Sequence, residues 1–217
     1  MTGVRVVFLA MVAVLTCERL HAQTTAAPSD PSAQPAPTEW SFSASAYTYV
    51  VPESENYVQP TVTADRDWLH LEARFNYEDR DTGSAWFGYN FSAGSNVTLE
   101  FTPIVGVAFG NTTGIAPGYK GTLQWRALDL YSETEYVFDA EESGDSFLYT
   151  WSEVAVSPID WLRFGFVVQR TKVYQTEFDI QRGLFASFTY GRANFGAYFF
   201  GSGESHPTVV FSLGANF

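Results

Sequence analysis

Residues 68 to 77, WLHLEARFNY, set Leu69, Leu71, Ala73, Phe75 and Tyr77 in alternation with His70, Glu72, Arg74 and Asn76. Successive strand side chains point to opposite faces, so this segment has one apolar face and one charged face. The same period of two returns almost everywhere from Trp40 to Phe217, and no helical period lasts beyond a turn or so. Such patterning leaves little besides an all-β domain. The decisive question is which face meets water. A soluble protein turns the apolar face inward, whereas a membrane barrel turns it outward onto lipid and keeps the charges inside.

A repeat organises the strands. DWLHLEARF from Asp67, NVTLEFTP from Asn96, RALDLYSE from Arg126, DWLRFGFV from Asp160 and RANFGAYF from Arg192 each place a short polar turn before an alternating strand, at spacings of 29 to 34 residues. That is the length of a two-strand hairpin with its connectors. Five such turns join six hairpins, which predicts twelve strands near 40–51, 57–64, 68–78, 84–92, 97–109, 118–126, 128–139, 146–157, 161–174, 180–190, 194–201 and 207–217. The weakest division falls within TLQWRALDLYSETEYVF, where one bent strand could replace a hairpin. Single-chain bacterial barrels have even counts, so ten is the fallback.

The amino-terminal segment bears on destination. Residues 1–22 have a basic start at Arg5, an apolar run from Val6 to Leu15 and Ala22 at the end, the layout of a secretory signal peptide. Residues 23–39, QTTAAPSDPSAQPAPTE, have no apolar period and read as a disordered periplasmic segment, leaving 40–217 as the barrel. Cys17 is the sole cysteine and Thr16 fits a lipidation site poorly, so the mature chain is expected to lack a thiol and any disulfide. Loss of Arg5, Arg19 and Glu18 with the leader takes the formal charge from -12 to -13. That excess of acid argues against a nucleic-acid partner.

One face, read outward from the turns, collects Phe42, Ala44, Val62, Leu69, Leu71, Phe75, Phe87, Phe91, Leu99, Phe101, Val105, Leu123, Leu130, Phe138, Val154, Leu162, Phe164, Phe166, Leu184, Phe188, Phe211 and Leu213, with no formal charge among them. The other holds His70, Glu72, Arg74, Asn76, Glu100, Lys120, Arg126, Asp129, Glu133, Glu135, Glu153, Arg163 and Gln169. Twelve strands about 4.8 Å apart and tilted about 40° close into a cylinder roughly 24 Å across, too wide to fill with one inward layer of apolar side chains. A polar, wet interior is therefore expected. Trp40, Trp68, Tyr77, Tyr89, Trp125, Tyr136, Trp161 and Tyr190 lie near strand ends, as interfacial aromatic girdles do. The soluble rival, a lipocalin-like ligand barrel, would have eight strands and a heavily charged exterior, whereas only 17% of this chain is charged.

Through the leader, the alternating hairpins and the terminal strand TVVFSLGANF, the chain resembles bacterial outer-membrane β-barrel proteins as a broad class, the small porin-like ones included. The resemblance covers everything past Trp40. It implies a multi-pass barrel in the outer membrane after leader cleavage, in contact with lipid and lipopolysaccharide. It also implies that Phe211, Leu213 and the final Phe217 form the signal recognised by the barrel assembly machinery.

In this topology the long connectors face outward, and they carry Glu53, Glu55, Asp79, Asp81, Glu141, Glu142, Asp145, Glu177 and Asp179. That acidic rim either bridges lipopolysaccharide phosphates through divalent cations or enriches cations at a pore mouth. Inside, His70, Glu72, Arg74, Asn76, Glu100, Lys120, Arg126, Asp129, Glu133, Glu153 and Arg163 are expected to line the lumen, where opposite charges either pair into a sealed interior or border a narrow pore for small solutes. Arg170, Lys172 and Arg182 break the apolar-face rule; a β-bulge near Gln169 would swing the first two inward, or all three sit above the hydrocarbon near lipopolysaccharide phosphate. Some twelve-stranded barrels are phospholipases with a Ser and His pair, but His70 and His206 lack a nucleophile context here, so no enzyme is expected. No metal-ligand spacing and no cofactor motif is present. The expected function is passive, cation-biased passage of small solutes, with a closed structural or adhesion barrel as the alternative. Oligomeric state is not encoded in a legible way.

Overall fold

The computed structural model describes residues 39–52, 54–141, 146–171, 179–201 and 207–217. The expected leader, residues 1–22, and nearly all of the Pro-rich segment lie outside them. Thirteen strands follow in order: β1 (Ser41–Val50), β2 (Tyr57–Arg66), β3 (Leu69–Phe75), β4 (Thr82–Tyr89), β5 (Phe91–Gly94), β6 (Val97–Gly110), β7 (Gly114–Trp125), β8 (Leu128–Asp139), β9 (Phe147–Ile159), β10 (Leu162–Thr171), β11 (Asp179–Tyr190), β12 (Ala193–Phe200) and β13 (Thr208–Asn216). All pairings are antiparallel between chain neighbours, and β1 pairs with β13, which closes the sheet on itself. β4 and β5 both pair with β6 and are two halves of one stave, so the barrel has twelve staves. Closure leaves no unpaired edge, as hydrocarbon demands.

The interruption between β4 and β5 is a single residue, Asn90, whose amide donates to Asp65 at 2.9 Å and accepts from the Thr102 hydroxyl at 2.7 Å. Tyr89 and Phe91 on either side both face outward with their rings 4.5 Å apart, so alternation runs through the break. The doubtful segment TLQWRALDLYSETEYVF is two strands, β7 and β8, paired from Trp125↔Leu128 up to Gly114↔Asp139. The two-residue turns at one end are as expected. Asp67 and Arg126 adopt the left-handed conformation there, at φ 51° and 55°. The last residue belongs to the closing seam, where Phe42 and Phe217 exchange backbone hydrogen bonds of 3.4 and 2.8 Å.

The exterior is apolar. Phe42, Leu71, Phe87, Leu99, Val105, Leu130, Val154, Phe166, Leu184, Phe211 and Leu213 are all exposed on it, and Trp40, Trp68, Tyr89, Trp125, Trp161 and Tyr190 ring the short-turn end. One patch interrupts this surface across β7, β8 and β9. There the hydroxyls of Tyr119, Ser132, Thr134, Thr150 and Ser152 bond one another at 3.1 to 3.4 Å. Mutual satisfaction is what permits hydroxyls on a lipid-facing wall.

Tyr77 corrects the expected girdle. β3 ends at Phe75 and Asn76 turns left-handed at φ 57°, which breaks the alternation and sends Tyr77 inward against Tyr149, 5.2 Å between ring centres. The interior is also less wet than its width suggested. Tyr47, Tyr49, Tyr149, Trp151, Phe185, Tyr198 and Phe200 form an aromatic cluster on the inner wall. On β9 the inward residues Tyr149 and Trp151 are aromatic while the outward Thr150 and Ser152 are polar, so polarity locally inverts relative to the faces.

Candidate functional site

Arg74 projects from β3 into the middle of the barrel with no exposed side-chain surface. Its guanidinium lies 2.8 Å from Glu72, 2.7 Å from Glu133, 2.8 Å from Glu135 and 3.8 Å from Glu78. Its flat faces stack on Tyr77 at 4.3 Å and Trp86 at 4.5 Å. A planar fork with five donors can serve several carboxylates at once, which an ammonium on the same stem cannot. Lys120 from β7 adds a bond to Glu72 at 2.5 Å, and His70 spans Asp65 at 2.7 Å and Glu72 at 3.0 Å. Five carboxylates, those of Asp65, Glu72, Glu78, Glu133 and Glu135, thus share two fixed cations and one histidine. Oε2 of Glu78 and Oε1 of Glu135 are buried with no hydrogen-bond partner among the described residues.

Glu78 itself comes from the β3–β4 connector, outside the strands. It accepts from Ser84 at 2.6 Å and from the Trp86 indole at 3.2 Å. Burial raises its carboxyl above the ordinary range, against the lowering pull of Arg74 and these bonds. A second, smaller ion cluster lies nearer the short-turn end, where Arg163 of β10 bonds Asp129 through Nε at 3.1 Å and Glu153 at 2.5 Å. The Arg163 guanidinium rests 4.8 Å over the Phe185 ring. The aromatic cluster adjoins these ions, with Trp151 donating to Glu153 at 2.8 Å and Tyr131 to Glu133 at 2.6 Å.

Among the described residues, two cavities lie in this lumen. The outer one, about 330 Å³, opens toward the long connectors and is bordered by Tyr57, Asn76, Glu78, Asp79, Arg80, Gln169 and Gln181 among others. The inner one, about 120 Å³, is bordered by Ser45, Tyr47, Thr61, Glu72, Lys120, Tyr131, Glu133 and Trp151. Tyr49, Gln59, Tyr77 and Tyr149 border both, and so form the partition between them.

No family model matches the sequence, and no curated protein matches it. Among solved structures, a KdgM porin superposes with a TM-score of 0.57 over 81% of this chain and 99% of its own, at 10% identity. The fold is that of a small porin-like twelve-stranded barrel.

Within the porin-like barrel, His70, Glu72, Arg74, Lys120, Asp129, Glu133, Glu153 and Arg163 all meet in the two lumen clusters. Of the other three residues expected on the lumen wall, Arg126 takes another position, while Glu100 and Asn76 lie at the two ends of the lumen. Arg126 is corrected to the β7–β8 turn, where its guanidinium lies 5.2 Å from the exposed Trp125 ring; the turn begins one residue earlier than the expected strand end. Glu100 keeps the inward phase but is exposed near the short-turn mouth, and among the described residues it forms no ion pair. Asn76 caps the outer loop, donating to Val58 O at 3.0 Å and accepting from Asp81 N at 2.8 Å.

At the outer rim, Glu55 pairs with Arg80 at 3.5 Å, Asp79 accepts from the Arg80 amide at 2.7 Å, and the Asp139 carboxylate accepts from the Glu141 amide at 2.8 Å. Asp81 sits left-handed at φ 54° in the same loop as Asn76. Glu53, Glu142, Asp145, Glu177 and His206, together with the Asp179 side chain, lie outside the described residues, as does Lys172. No bulge occurs near Gln169; the register shift in β10 is between Leu162 and Phe164. Arg170 and Arg182 therefore stay in the outward phase at the outer end, and Gln169 faces the outer cavity.

Sequence reasoning missed Asp65, Glu78 and the inward aromatics. Asp65 lies past the expected end of β2. Glu78 falls at the expected end of the 68–78 strand, and the signal that could have found it is the left-handed-prone Asn76 two residues before it. Among the described residues, no group of three or more His, Cys, Asp and Glu has metal-binding geometry.

Proposed function

We propose that the protein is an outer-membrane channel for passive diffusion of small solutes, with a preference for cations. The observation that carries the reading is the pair of cavities that share a tyrosine-and-glutamine partition inside a closed barrel, beside a lumen cluster in which five carboxylates outnumber two fixed cations. Excess negative charge in a low-dielectric passage lowers the barrier for cations and raises it for anions. The rim residues Glu55 and Asp79 add to the same potential at the outer mouth. The porin-like fold fits this reading, with export through the 1–22 leader and insertion by the barrel assembly machinery through Phe211, Leu213 and Phe217.

A second reading, a closed barrel that serves structure or adhesion, is favoured by the zero exposure of Arg74 and the aromatic fill opposite it. Planar-bilayer recording separates the two. Stepwise conductance with a reversal potential on the cation side supports the channel. A correctly folded barrel without steps above background supports the closed structure.

A further inference from the structure

The outside of the barrel carries a polar band that a channel does not require. The hydroxyl patch on β7, β8 and β9 lies in register with two arginines on β10 and β11. Arg170 pairs with Thr150, Thr150 with Thr134 and Thr134 with Tyr119, so these outward residues form one row across four strands. In the adjoining row Arg182 pairs with Val168, Val168 with Ser152 and Ser152 with Ser132. Arg170 is one residue from the outer end of β10, which Thr171 closes. One outward step toward the short turns, the next row is Leu130, Val154, Phe166 and Leu184, all exposed and apolar.

Both halves of the band keep capacity for a ligand. Arg182 is exposed and forms no ion pair among the described residues. Arg170 stands opposite Ile180, diagonal to Arg182, which sets their Cβ atoms about 7–8 Å apart. Two guanidinium forks at that spacing reach one phosphate from two sides. The five hydroxyls of Tyr119, Ser132, Thr134, Thr150 and Ser152 make four contacts with one another, at 3.1 to 3.4 Å. Four contacts use four O–H groups, so one donor and most of the oxygen lone pairs remain for a group lying on the wall. A lipid with a phosphate head and amide-linked, hydroxylated acyl chains supplies an anion at the depth of the arginines and N–H and O–H donors just beneath it. Ester-linked chains offer acceptors only, which leaves those lone pairs unused.

We propose that the outer surface of β8 to β11 is a binding site for a phosphorylated lipid of the outer leaflet, the lipid part of lipopolysaccharide in its chemistry. Its phosphate lies between Arg170 and Arg182, and the amide and hydroxyl groups of its acyl chains lie on Thr134, Thr150 and Ser152. The site goes beyond the channel reading and does not depend on it, because it holds whether or not the lumen conducts.

The test titrates the full mature chain, folded in detergent micelles, with diphosphoryl lipid A, phosphatidylglycerol or inorganic phosphate, and counts adducts by native mass spectrometry. Lipid A should bind saturably, phosphatidylglycerol more weakly and inorganic phosphate not at all. Arg182→Gln should weaken lipid A about tenfold or more, the loss of a charge-assisted hydrogen bond. Arg66→Gln removes the same charge from the outward phase at the opposite end of the barrel and should leave lipid A binding within about twofold. Thr134→Val combined with Thr150→Val keeps the shape of the wall and should cut lipid A binding about threefold to tenfold while sparing phosphatidylglycerol. Heat-modifiable mobility confirms that each variant is folded. Lipid A binding unchanged in Arg182→Gln, or equal losses in Arg182→Gln and Arg66→Gln, overturns the site. Inorganic phosphate bound as tightly as lipid A makes it a free-ion site, and phosphatidylglycerol bound as tightly removes the acyl contacts; either result overturns the lipid assignment.

Discussion

Replacing Arg74 by Met removes the one cation on which four lumen carboxylates converge while keeping most of the side-chain volume. Those of Glu72, Glu133 and Glu135 lie within 2.8 Å of the guanidinium and Glu78 lies 3.8 Å away, all in a region with almost no solvent exposure. Removing one partner of a buried ion pair leaves an uncompensated charge and costs about 3 to 5 kcal/mol. The stacking on Tyr77 and Trp86 adds about 0.5 to 2 kcal/mol that Met does not recover. Protonation of one or two carboxyls in the variant relieves part of this, so the expected net loss is about 3 to 5 kcal/mol. With a guanidinium-chloride slope of roughly 4 kcal/mol per M, the unfolding midpoint of the barrel in detergent falls by about 1 M. Arg74→Lys should fall between the two, since an ammonium keeps the charge but cannot fork to three acids. A midpoint within about 0.2 M of wild type for Arg74→Met, by tryptophan emission and by heat-modifiable gel mobility, would refute a dry, charge-locked lumen.

Glu72→Gln, which touches Arg74, His70 and Lys120, should cost about 2 to 4 kcal/mol, whereas exposed Glu100→Gln should stay within about 0.5 kcal/mol; equal effects in denaturant titration would contradict the placement of Glu100. Gly106→Val drives a methyl group into the Trp86 ring, so it should cost about 1 to 3 kcal/mol and shift Trp86 emission as its indole leaves Ser84 and Glu78. Glu78 has a raised carboxyl pKa, so its stabilising contribution is full below the ordinary carboxyl value of 4.5 and is lost as pH rises through the higher folded value. The stability of wild type minus that of Glu78→Gln should accordingly fall with rising pH; a difference that grows would mean a lowered pKa. Deleting Phe217 removes both seam hydrogen bonds with Phe42 and should reduce the folded, membrane-inserted fraction in cells, measured by heat-modifiable mobility.

The barrel was legible because its physics is local. A two-residue turn repeated every 29 to 34 residues, with strict alternation after each, fixes strand number, neighbour order and the phase of every side chain. Twelve staves, the outward phase of Phe87 or Leu130 and the pairing of acids with Arg74 and Arg163 follow from that phase. Where the reading failed, a single backbone conformation or a strand end was responsible. Asn76 at φ 57° moved Tyr77 indoors, and the turn at Arg126 took that residue out of the lumen. Hydrophobicity also misleads on β9, where the inner residues are aromatic and the outer ones hydroxylated; phase counted from Glu153 and Val154 gives the right faces.

Sequence alone determined a closed, lipid-facing sheet with charge on its inner phase, since side-chain direction in a strand depends only on counting from the turn. Only the tertiary structure decided how those inner groups divide the space. Which carboxylates reach Arg74 across the barrel, and whether tyrosines from opposite staves meet to separate two cavities, depend on distances between residues up to about a hundred positions apart in the chain, such as Tyr49 and Tyr149. Alternation specifies the face a side chain occupies; the curvature and shear of the closed sheet specify what it meets on the far side.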